Sequence, residues 1–348
     1  MLKRRRKTIC LIAIVILLSS GAFFALPKGV TPTSEERASR PLAKSSPNRL
    51  SATSPLSQRS DKRGKPKGSI SMDRYNRIRD GLRCTRLNPR LLLFPRVPKC
   101  ASTSISTLLY LVSKKYQYAF IENTDGARAW TPNDVKEATD KIAKTLAQNN
   151  SRAAYVRHFY YNDFRALGVP YSYITFIRDP VERFISSYLY YHKSDLKHIK
   201  ALRWREKIDS NENIAECLKH KRGGCETNLI TRYFCGSETF CEKGSALALD
   251  HALMHLLRRF AVVGLVEDLT TSIQLLGHVL PRFFPREVKL PDSVMHRNAN
   301  KKSEKDKMAL LRDEETVKLI QKANWADVVF YDFAKKLFYR RIKMCGIG

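Results

Sequence analysis

Short apolar runs alternate with amphipathic stretches along the chain between about residues 91 and 180. The apolar runs predict buried strands: LLLFPRV at 91–97, YAFIE at 118–122, AAYVRH at 153–158 and SYITFIRD at 172–179. Periodic segments at 102–116 and 131–148 follow the first two and predict helices. Strands that alternate with helices predict an α/β fold, with a central parallel sheet flanked by helices on both faces. Ligands of such sheets bind beyond the carboxyl ends of the strands.

Helical periodicity dominates after about residue 240. GSALALDHALMHLLRRF predicts a helix, AVVGL a short strand and LTTSIQLLGHVLPRFF another helix. A last helix within 313–343 carries an apolar stripe that we expect to face the core: Val317, Ile320, Trp325, Val328, Val329, Phe330, Phe333, Leu337 and Phe338. In the helix at 102–116 we expect the same of Leu108, Leu109 and Leu111.

The first 88 residues follow a different pattern. Residues 8–26 are uncharged and about long enough to cross a bilayer, and five basic residues precede them, which predicts a cytoplasmic tail at 1–7. Small residues after Leu18 leave a cleaved signal peptide as the alternative. Residues 27–88, rich in Ser, Pro, Arg and Lys, predict a disordered basic stem. A type II membrane protein with a luminal domain at 89–348 follows.

The formal charge is +30, and residues 1–70 hold 15 Lys or Arg against 3 Asp or Glu. Such a charge favours polyanionic partners, among them nucleic acid, anionic lipid, nucleotides and sulfated sugars. Binding to nucleic acid rests on charge alone and conflicts with the predicted anchor, so no nucleic-acid partner is expected.

Four of the eight cysteines, Cys217, Cys225, Cys235 and Cys241, lie within 25 residues. In an oxidising compartment this spacing favours two local disulfides, 217 with 225 and 235 with 241. A zinc site is the alternative, but no C-x-x-C spacing supports it, and no metal is expected. Asn149 stands in an N-x-S sequon and is a candidate for glycosylation.

The segment FPRVPKCASTSISTLLYL joins the first predicted strand to the first predicted helix. Its loop, Pro98 to Ser104, would present backbone N–H groups, hydroxyls and one lysine to the same point, which suits a phosphate or phosphosulfate. An ordinary Ser/Thr cap beside a surface lysine explains the loop equally well. The loop lacks the pattern G-x-x-x-x-G-K-[ST], so it does not indicate a nucleoside-triphosphate hydrolase.

A second motif, TFIRDPVERFISSYLYY, runs from the fourth predicted strand into a helix. Arg178 stands at the end of the strand, Asp179 can cap the helix, and Ser186 lies two turns along it. Arg178 and Ser186 together could hold a second phosphate group. Taken alone, the motif favours an ion pair at the helix start, between Arg178 or Arg183 and a neighbouring acidic residue.

In this order and about 80 residues apart, the two motifs resemble the PAPS-dependent sulfotransferases, PAPS being 3′-phosphoadenosine 5′-phosphosulfate. The resemblance implies a P-loop-like sulfotransferase fold in one luminal domain, with PAPS as the sulfate donor. The first loop would hold the 5′-phosphosulfate, and an Arg and a Ser after a later strand would hold the 3′-phosphate. On this sequence those positions are Lys99, Cys100, Ala101, Ser102 and Thr103 for the first and Arg178 and Ser186 for the second.

RVPKCASTS, IRDPVERFISSY, YFCGSETFC and LPRFF are similar, in order and spacing, to one branch, the glycosaminoglycan hexuronyl 2-O-sulfotransferases, over about residues 90 to 340. The two expected cysteine pairs fall where the disulfides of this branch lie. By this resemblance His158 is the base that takes the proton of a sugar hydroxyl, and Lys99 neutralises charge on the leaving 3′,5′-bisphosphate. A lone histidine, without the resemblance, is more often structural.

The acceptor stays open between two kinds of polysaccharide. Heparan sulfate enzymes carry a second histidine where Val156 stands. The pair Arg157-His158, and Cys100, resemble the uronyl enzymes that act on dermatan and chondroitin sulfate, whereas Pro98, Ser102 and Thr103 resemble the heparan sulfate branch. Further contacts implied by the resemblance are Arg96, Tyr110, Arg203 and Arg297 to substrate and Lys301 to the donor, with His296 as another candidate.

The basic stretch HKSDLKHIKALRWREK at 192–207 would bind a sulfated polysaccharide, or is simply a solvated basic face. The expected protein is a Golgi membrane enzyme, homotrimeric by resemblance, that sulfates the 2-hydroxyl of iduronate or glucuronate in a glycosaminoglycan. The alternative is a non-catalytic glycosaminoglycan-binding protein on the same fold. Retention of Lys99, Arg178, Ser186 and His158 argues against it.

Overall fold

The computed structural model of the protein describes residues 84–123, 130–148, 152–286 and 301–347. Five strands form one parallel sheet in the order β2-β3-β1-β4-β5. The strands are β1 (Leu91–Pro95), β2 (Ala119–Glu122), β3 (Ala153–Arg157), β4 (Tyr171–Ile177) and β5 (Phe260–Leu265). The α/β class predicted from the sequence is confirmed.

Helices flank the sheet in the part of the chain that the structure describes. They are α1 (Ser102–Tyr116), α2 (Pro132–Gln148), α3 (Pro180–Lys193), α4 (Lys197–Glu206), α5 (Ile214–His220), α6 (Leu229–Cys235), α7 (Ala246–Arg259), α8 (Leu269–Val279), α9 (Lys301–Arg312), α10 (Glu314–Ala323) and α11 (Trp325–Cys345). Short 3₁₀ turns lie at Arg165–Leu167 and Thr239–Lys243.

The central strand β1 is buried along its whole length, as is its neighbour β3. Strands that are covered on both faces have continuous apolar sequences, which explains why apolar and polar residues do not alternate in LLLFP. β1 pairs with β3 from Leu91 opposite Ala153, and with β4 from Leu91 opposite Tyr171. The carboxyl ends of β3, β1 and β4 therefore lie side by side.

The single helix expected within 313–343 is two helices, and that prediction is wrong. The helix is interrupted at Asn324, which is fully buried. Its side-chain oxygen accepts from the Asn228 backbone N–H at 3.0 Å, and its side-chain nitrogen donates to the Ile320 carbonyl at 2.9 Å. A buried amide must have such partners, and satisfying them here interrupts the helix. Trp325 and Val329 are 42% and 45% exposed, contrary to expectation.

Leu111 of α1 is also exposed, at 45%, although the sequence placed it in the core. Leu108 and Leu109 are buried as expected. A helix buries only one stripe of its surface. In α1 that stripe includes Leu108 and Leu109 but does not extend to Leu111.

Three disulfides link described residues. Cys217 is bonded to Cys225 and Cys235 to Cys241, the pairs that the local spacing favours. Cys84 is bonded to Cys345 over a separation of 261 residues, a pairing that the sequence left open. It ties the segment that precedes β1 to the end of α11, and the long loop that it closes constrains the unfolded chain strongly. Cys100 is buried and unbonded.

Several predictions fall outside the described residues. They include the cytoplasmic tail, the anchor at 8–26, nearly all of the stem, the sequon asparagine Asn149, and the pair His296 and Arg297. Among the residues that the structure does describe, no helix combines the length and the apolar character needed to cross a membrane. Lys301 is the first residue of α9.

Candidate active site

The carboxyl ends of three adjacent strands carry the polar motifs found in the sequence. His158 follows β3, the loop at 96–101 follows β1, and Arg178 follows β4. The chain places β2 and β3 on one side of β1, and then crosses to place β4 and β5 on the other side. The carboxyl ends of the strands at this crossing form a topological switch point. The fold therefore brings together groups that lie about 80 residues apart in sequence.

The loop between β1 and α1 is shaped by two residues with left-handed backbone, Lys99 at φ 66° and Ala101 at φ 54°. Ala101 is the N-cap of α1, and within the described residues no side chain caps the helix there. Backbone N–H groups at a helix start without a side-chain cap can donate to a bound anion. The Cys100 side chain is buried, and burial raises its pKa to about 12, so this residue can offer a ligand only its backbone.

Lys99 points across the site to helix α3. Its ammonium lies over the Tyr190 ring, 4.0 Å from the centroid, a cation–π contact. Burial, and next the like charge of Arg178, lowers the pKa of Lys99 to about 8. The amine is therefore protonated at neutral pH, and its charge lies close enough to Arg178 for the two to repel.

Arg178 forms the ion pair that the sequence raised as the alternative to phosphate binding. Its Nη2 donates to Glu182 Oε2 at 2.6 Å, one turn along α3. Lys307 of α9 reaches the same oxygen, with Nζ at 3.0 Å. Burial alone would raise the pKa of Glu182, but the hydrogen bonds from Arg178 and Lys307 outweigh it, and the pKa lies below its ordinary value.

Helix α3 presents one face to this site. Glu182, Ser186 and Tyr190 follow each other at intervals of four residues, so their side chains lie about 6 Å apart along one side of the helix. All three are half-buried. Ser186 stands between the Arg178 pair at one end and the Lys99 contact at the other. Asp179 caps the helix, because its Oδ1 accepts from the backbone N–H groups of Val181 and Glu182 in the first turn, at 3.0 Å each.

His158 is held by the backbone of the neighbouring strand. Its Nδ1 lies 2.6 Å from the Arg96 carbonyl oxygen. A carbonyl can only accept, so Nδ1 carries the proton and the lone pair of the neutral ring is on Nε2. The Tyr233 hydroxyl lies 3.4 Å from the same Nδ1. Arg96 is fixed in turn, because its N–H donates to the Arg157 carbonyl at 2.8 Å.

The Arg96 side chain lies beside the loop between β1 and α1. Its Nη1 donates to Glu122 Oε1 at 2.8 Å, and its Nη2 to the Thr103 hydroxyl at 3.3 Å. Ser106 donates to the same Glu122 oxygen at 2.6 Å. Ser102 is buried and Thr103 exposed. A network of side chains from β2 and α1 thus supports the outer wall of the loop.

Two other predicted contact residues have different surroundings. Tyr110 lies two turns into α1, edge-on to Phe120 at 5.6 Å between ring centroids. Arg203 of α4 donates through Nη1 to the His192 carbonyl and through Nη2 to the Ser194 carbonyl at 3.5 Å, which caps the end of α3. Their roles in substrate binding stay predictions. The side chain of Lys301 lies outside what the structure describes.

Two residues of the site, Tyr190 and Lys307, were missed from the sequence, and Glu182 was considered only as an ion-pair partner. Glu182 and Tyr190 share the helical face of Ser186, and their spacing of four residues was a usable signal. Lys307 comes from a helix more than 120 residues later, and no pattern links it to Arg178. Outside the site, His192 Nε2 lies 3.9 Å from Cys225 Sγ, but both cysteines there are oxidised in a disulfide.

The chain is similar to known proteins over most of its length. The model of the sulfotransferase family matches residues 88–334. The chain belongs to the sulfotransferase family. Within the family, the chain is 31% identical over 261 residues to heparan sulfate 2-O-sulfotransferase 1 of Xenopus laevis, covering 71% of this chain and 70% of that protein. The human protein of the same name is 30% identical over 258 residues, with the same coverage. Human uronyl 2-sulfotransferase is 25% identical over 268 residues, covering 74% of this chain and 65% of that protein.

The site suits a sulfotransferase. Such an enzyme needs a sulfate donor, and the uncapped start of α1 together with Lys99 offers a place for an anionic group. Arg178 and Ser186 offer a second place, on α3. His158 follows β3, which lies between β1 and the edge strand β2. The lone pair on its Nε2 can accept a proton.

Proposed function

We propose that the protein transfers sulfate from PAPS to the 2-hydroxyl of a hexuronic acid in a glycosaminoglycan. The observation that carries the proposal is the convergence of His158, the Lys99 loop and Arg178 at the carboxyl ends of β3, β1 and β4. The names of the relatives, heparan sulfate 2-O-sulfotransferase and uronyl 2-sulfotransferase, support the position of transfer.

PAPS fits the residues present because it carries anionic groups at both ends of its ribose. The backbone N–H groups of α1 and the protonated Lys99 suit the 5′ end, and Arg178 with Ser186 suits the 3′-phosphate. When bound, the donor supplies an activated sulfuryl group whose leaving group is 3′,5′-adenosine bisphosphate. Lys99 contacts Tyr190 on the face of α3 that also carries Ser186, so one ligand can span the two places.

His158 acts as the general base. Its Nδ1–H is engaged by the Arg96 carbonyl, so Nε2 accepts the proton that the acceptor hydroxyl loses as its oxygen bonds to sulfur. Lys99 holds a positive charge where negative charge grows on the departing phosphate oxygen. Its contact with Tyr190 fixes the long lysine side chain, which lowers the entropy lost on reaching that geometry.

The acceptor would be heparan sulfate or dermatan/chondroitin sulfate. The relatives' names cover both possibilities, heparan sulfate in one case and uronyl residues in the other. Most basic residues of the stretch 192–207 are exposed, and Trp204 in the same stretch is 88% exposed, which suits a long anionic sugar chain. Arg96 stands beside the donor loop, where an acceptor carboxylate would approach.

We place the enzyme in the Golgi membrane as a type II protein, with residues 8–26 as the anchor and the domain at 89–348 in the lumen. The three disulfides support an oxidising compartment. Glycosylation at Asn149 and assembly into a homotrimer belong to the same proposal and rest on the sequence resemblance.

The test is transfer of radiolabelled sulfate by the purified full chain to desulfated heparan, dermatan and chondroitin chains, followed by disaccharide analysis. Label at the 2-position of a uronic acid is the expected result, and the chain that receives it identifies the acceptor. Binding of these polysaccharides without any transfer, and without affinity for 3′,5′-adenosine bisphosphate, would favour the non-catalytic alternative.

His158→Ala tests the base in the same assay. We expect a loss of about 10²- to 10⁴-fold in kcat with unchanged affinity for 3′,5′-adenosine bisphosphate. His251→Ala, at a half-buried histidine of α7, is the matched control and should retain full transfer. Full activity of the His158 variant would remove it as the base.

A further inference from the structure

A group of basic side chains lies at the amino ends of the strands, opposite the carboxyl ends that carry the proposed active site. Arg152 directly precedes β3, and its Nη2 donates to the carbonyl oxygen of Tyr116, the last residue of α1, at 2.9 Å. Its Nη1 donates to the Arg282 carbonyl, and the Arg282 side chain donates through Nη1 to Asn88 Oδ1 at 3.1 Å. The segments before β1 and β3, the end of α1 and the turn after α8 therefore meet on one surface.

The cations on this surface lie close together. Lys115 in the last turn of α1, Arg282 and Arg286 are exposed, and Arg152 is half-buried. Burial, and next the like charge of Arg282, lowers the pKa of Arg152. Two guanidinium groups are thus near enough to repel each other, and an anion bound beside them would reduce that repulsion.

Acidic residues do not balance these charges within the two segments that form most of the surface. The sequence has no Asp or Glu at 84–121 or at 269–286. Glu122, which follows the first segment, ends β2 at the opposite end of the sheet and pairs there with Arg96 at 2.8 Å. Glu287, which follows the second, lies outside the described residues. The two segments therefore carry an unbalanced positive charge, which favours a polyanion.

A cleft of about 360 Å³ lies at the same end of the molecule, a volume within the range of ligand sites. It is lined by Gln274, His278, Arg286 and Ile347. A Cβ on Gly277 would lie 2.2 Å from the Pro285 carbonyl oxygen, so only glycine lets the chain return this closely over α8. That return places Arg286 beside His278, and the cleft thus has two basic residues in its wall.

The Cys84–Cys345 disulfide fixes the other side of this cleft. Its two sulfur atoms and a ring nitrogen of His278 all lie within 4.8 Å of one another. The Leu87 N–H donates to the Val279 carbonyl at 2.7 Å, at the end of α8. Leu87 directly precedes the asparagine that accepts from the arginine after α8, so the cleft and the group of arginines form one continuous surface.

We propose that this amino-end surface, formed by Lys115, Arg152, His278, Arg282 and Arg286, binds a second segment of a sulfated polysaccharide, away from the site of transfer. Guanidinium groups bind planar or tetrahedral oxyanions through paired N–H donors, which suits sulfate and carboxylate groups. A flat bilayer would meet the exposed arginines but would not enter the cleft, so the geometry favours a narrow polymer over anionic lipid. The proposal rests on the proposed function for the identity of the polymer.

Helix α1 connects this surface to the proposed active site. It begins at the loop that carries Lys99 and ends beside Lys115, and its 15 residues span about 22 Å. A long chain can therefore contact both ends of the domain at once. A second contact on one polymer raises its apparent affinity, whereas a short oligosaccharide gains nothing from it. The amino-end surface would thus favour long acceptors.

Heparin is the probe for this surface. The dissociation constant of a long heparin chain would be measured by calorimetry, at several salt concentrations, on the full chain and on the double variant Arg282→Gln/Arg286→Gln. We expect about tenfold weaker binding and a shallower dependence on salt, because fewer cations then contact the polyanion and fewer counterions are released. Lys318→Gln/Lys336→Gln, at exposed lysines that pair with Glu314 and Asp332, removes the same charge elsewhere and should change the constant less than about twofold.

The contrary outcomes are distinct. No change in the arginine variant, or an equal loss in both double variants, would overturn the assignment of this surface. Loss of binding to vesicles of phosphatidylserine and phosphatidylcholine, with heparin affinity retained, would assign the surface to a membrane and also overturn the proposal. Should the arginine variant lower the thermal midpoint, Lys115→Gln/Arg286→Gln, which keeps the contact of Arg282 with Asn88, provides the same comparison.

Sulfate transfer supplies a second measurement. In the arginine variant, KM for a long desulfated heparan chain should rise about tenfold, with kcat and the KM of a short oligosaccharide unchanged. An unchanged KM for the long chain would show that the two ends of the domain do not bind one polymer. A wild-type chain without any transfer would overturn the proposed function, and the heparin measurement would still decide whether the amino-end surface binds a sulfated polysaccharide.

Discussion

The two halves of the donor site are built by different means. The 5′ half, between β1 and α1, consists mainly of backbone: two left-handed residues, an uncapped helix start and a buried thiol, with Lys99 as its charged side chain. The 3′ half, at the start of α3, consists of side chains: Arg178, Glu182 and Lys307 from two helices. The 5′ half depends on the backbone conformation of the loop, and the 3′ half depends on which side chains lie close to the start of α3. Substitutions should therefore affect them differently.

The largest effect expected within the donor site is that of Lys99→Met. This change removes the charge of the 5′ half and leaves its backbone in place, so transfer should fall by about 10²- to 10³-fold in kcat. Affinity for 3′,5′-adenosine bisphosphate should fall much less, because the helix start and the 3′ half still bind it. The measurement is transfer of labelled sulfate beside calorimetry with the bisphosphate.

The same variant can contradict the comparison. If Lys99→Met abolishes binding of the bisphosphate, then the backbone does not form a binding site by itself, and the 5′ half depends on its side chain as the 3′ half does. Lys335→Met, at a lysine of α11 whose Nζ lies 5.9 Å from the Tyr331 ring centroid, is a control for the loss of a lysine over an aromatic ring.

The 5′ half was the more predictable of the two. A strand, a loop with Ser and Thr, and a helix are contiguous in sequence, and the loop residues expected at the site are those at the end of β1. The strand and helix bounds agreed within one or two residues because apolar runs and helical periodicity are local properties. The left-handed conformation of Lys99 and Ala101 could not be predicted, because neither is glycine and tertiary packing imposes it.

The 3′ half was predicted only in part. Arg178 and Ser186 lie in one motif, but Glu182 was considered only as an ion-pair partner, and Lys307 was not considered at all. Its position depends on how α9 packs against α3, which no local pattern encodes. The break at Asn324 was missed for the same reason: its partner Asn228 lies 96 residues away. Long-range polar contacts decided the features that the sequence did not predict.

The pH dependence of transfer, an effect of moderate size, tests whether the charges of the two halves interact. Burial and the charge of Arg178 lower the pKa of Lys99 to about 8, so kcat/KM for the donor should fall as the pH rises through about 8, by about tenfold per unit. Above that pH the amine is neutral and no longer offsets the charge of the leaving group. Arg178→Met removes a like charge, which raises the pKa of Lys99 and moves this alkaline limb to higher pH.

Lys99→Arg identifies the group responsible for the limb. A guanidinium does not titrate in this range, so the residual activity of this variant should show no fall near pH 8. An unchanged limb in Lys99→Arg would assign it to another group. A limb that stays in place in Arg178→Met would show that the two halves do not interact, and that burial alone sets the pKa of Lys99.

The smallest effect concerns the backbone of the 5′ half directly. Ala101 adopts φ 54°, where an L-residue is strained by about 1 to 2 kcal/mol and glycine is not. Ala101→Gly relieves that strain but enlarges the entropy of the unfolded chain, so we expect a net gain of about 0.5 to 1 kcal/mol and a thermal midpoint higher by about 1 to 3 °C. Ala201→Gly, the same change at an exposed position inside α4, should lower stability by about 1 kcal/mol.

Opposite signs for one substitution at two sites would locate the effect in the backbone. Retained sulfate transfer in Ala101→Gly would show that the 5′ half needs the backbone conformation at this position and not the methyl group. Equal destabilisation by both would mean that Ala101 is not left-handed in solution, and the contrast between the halves would then rest on Lys99 alone.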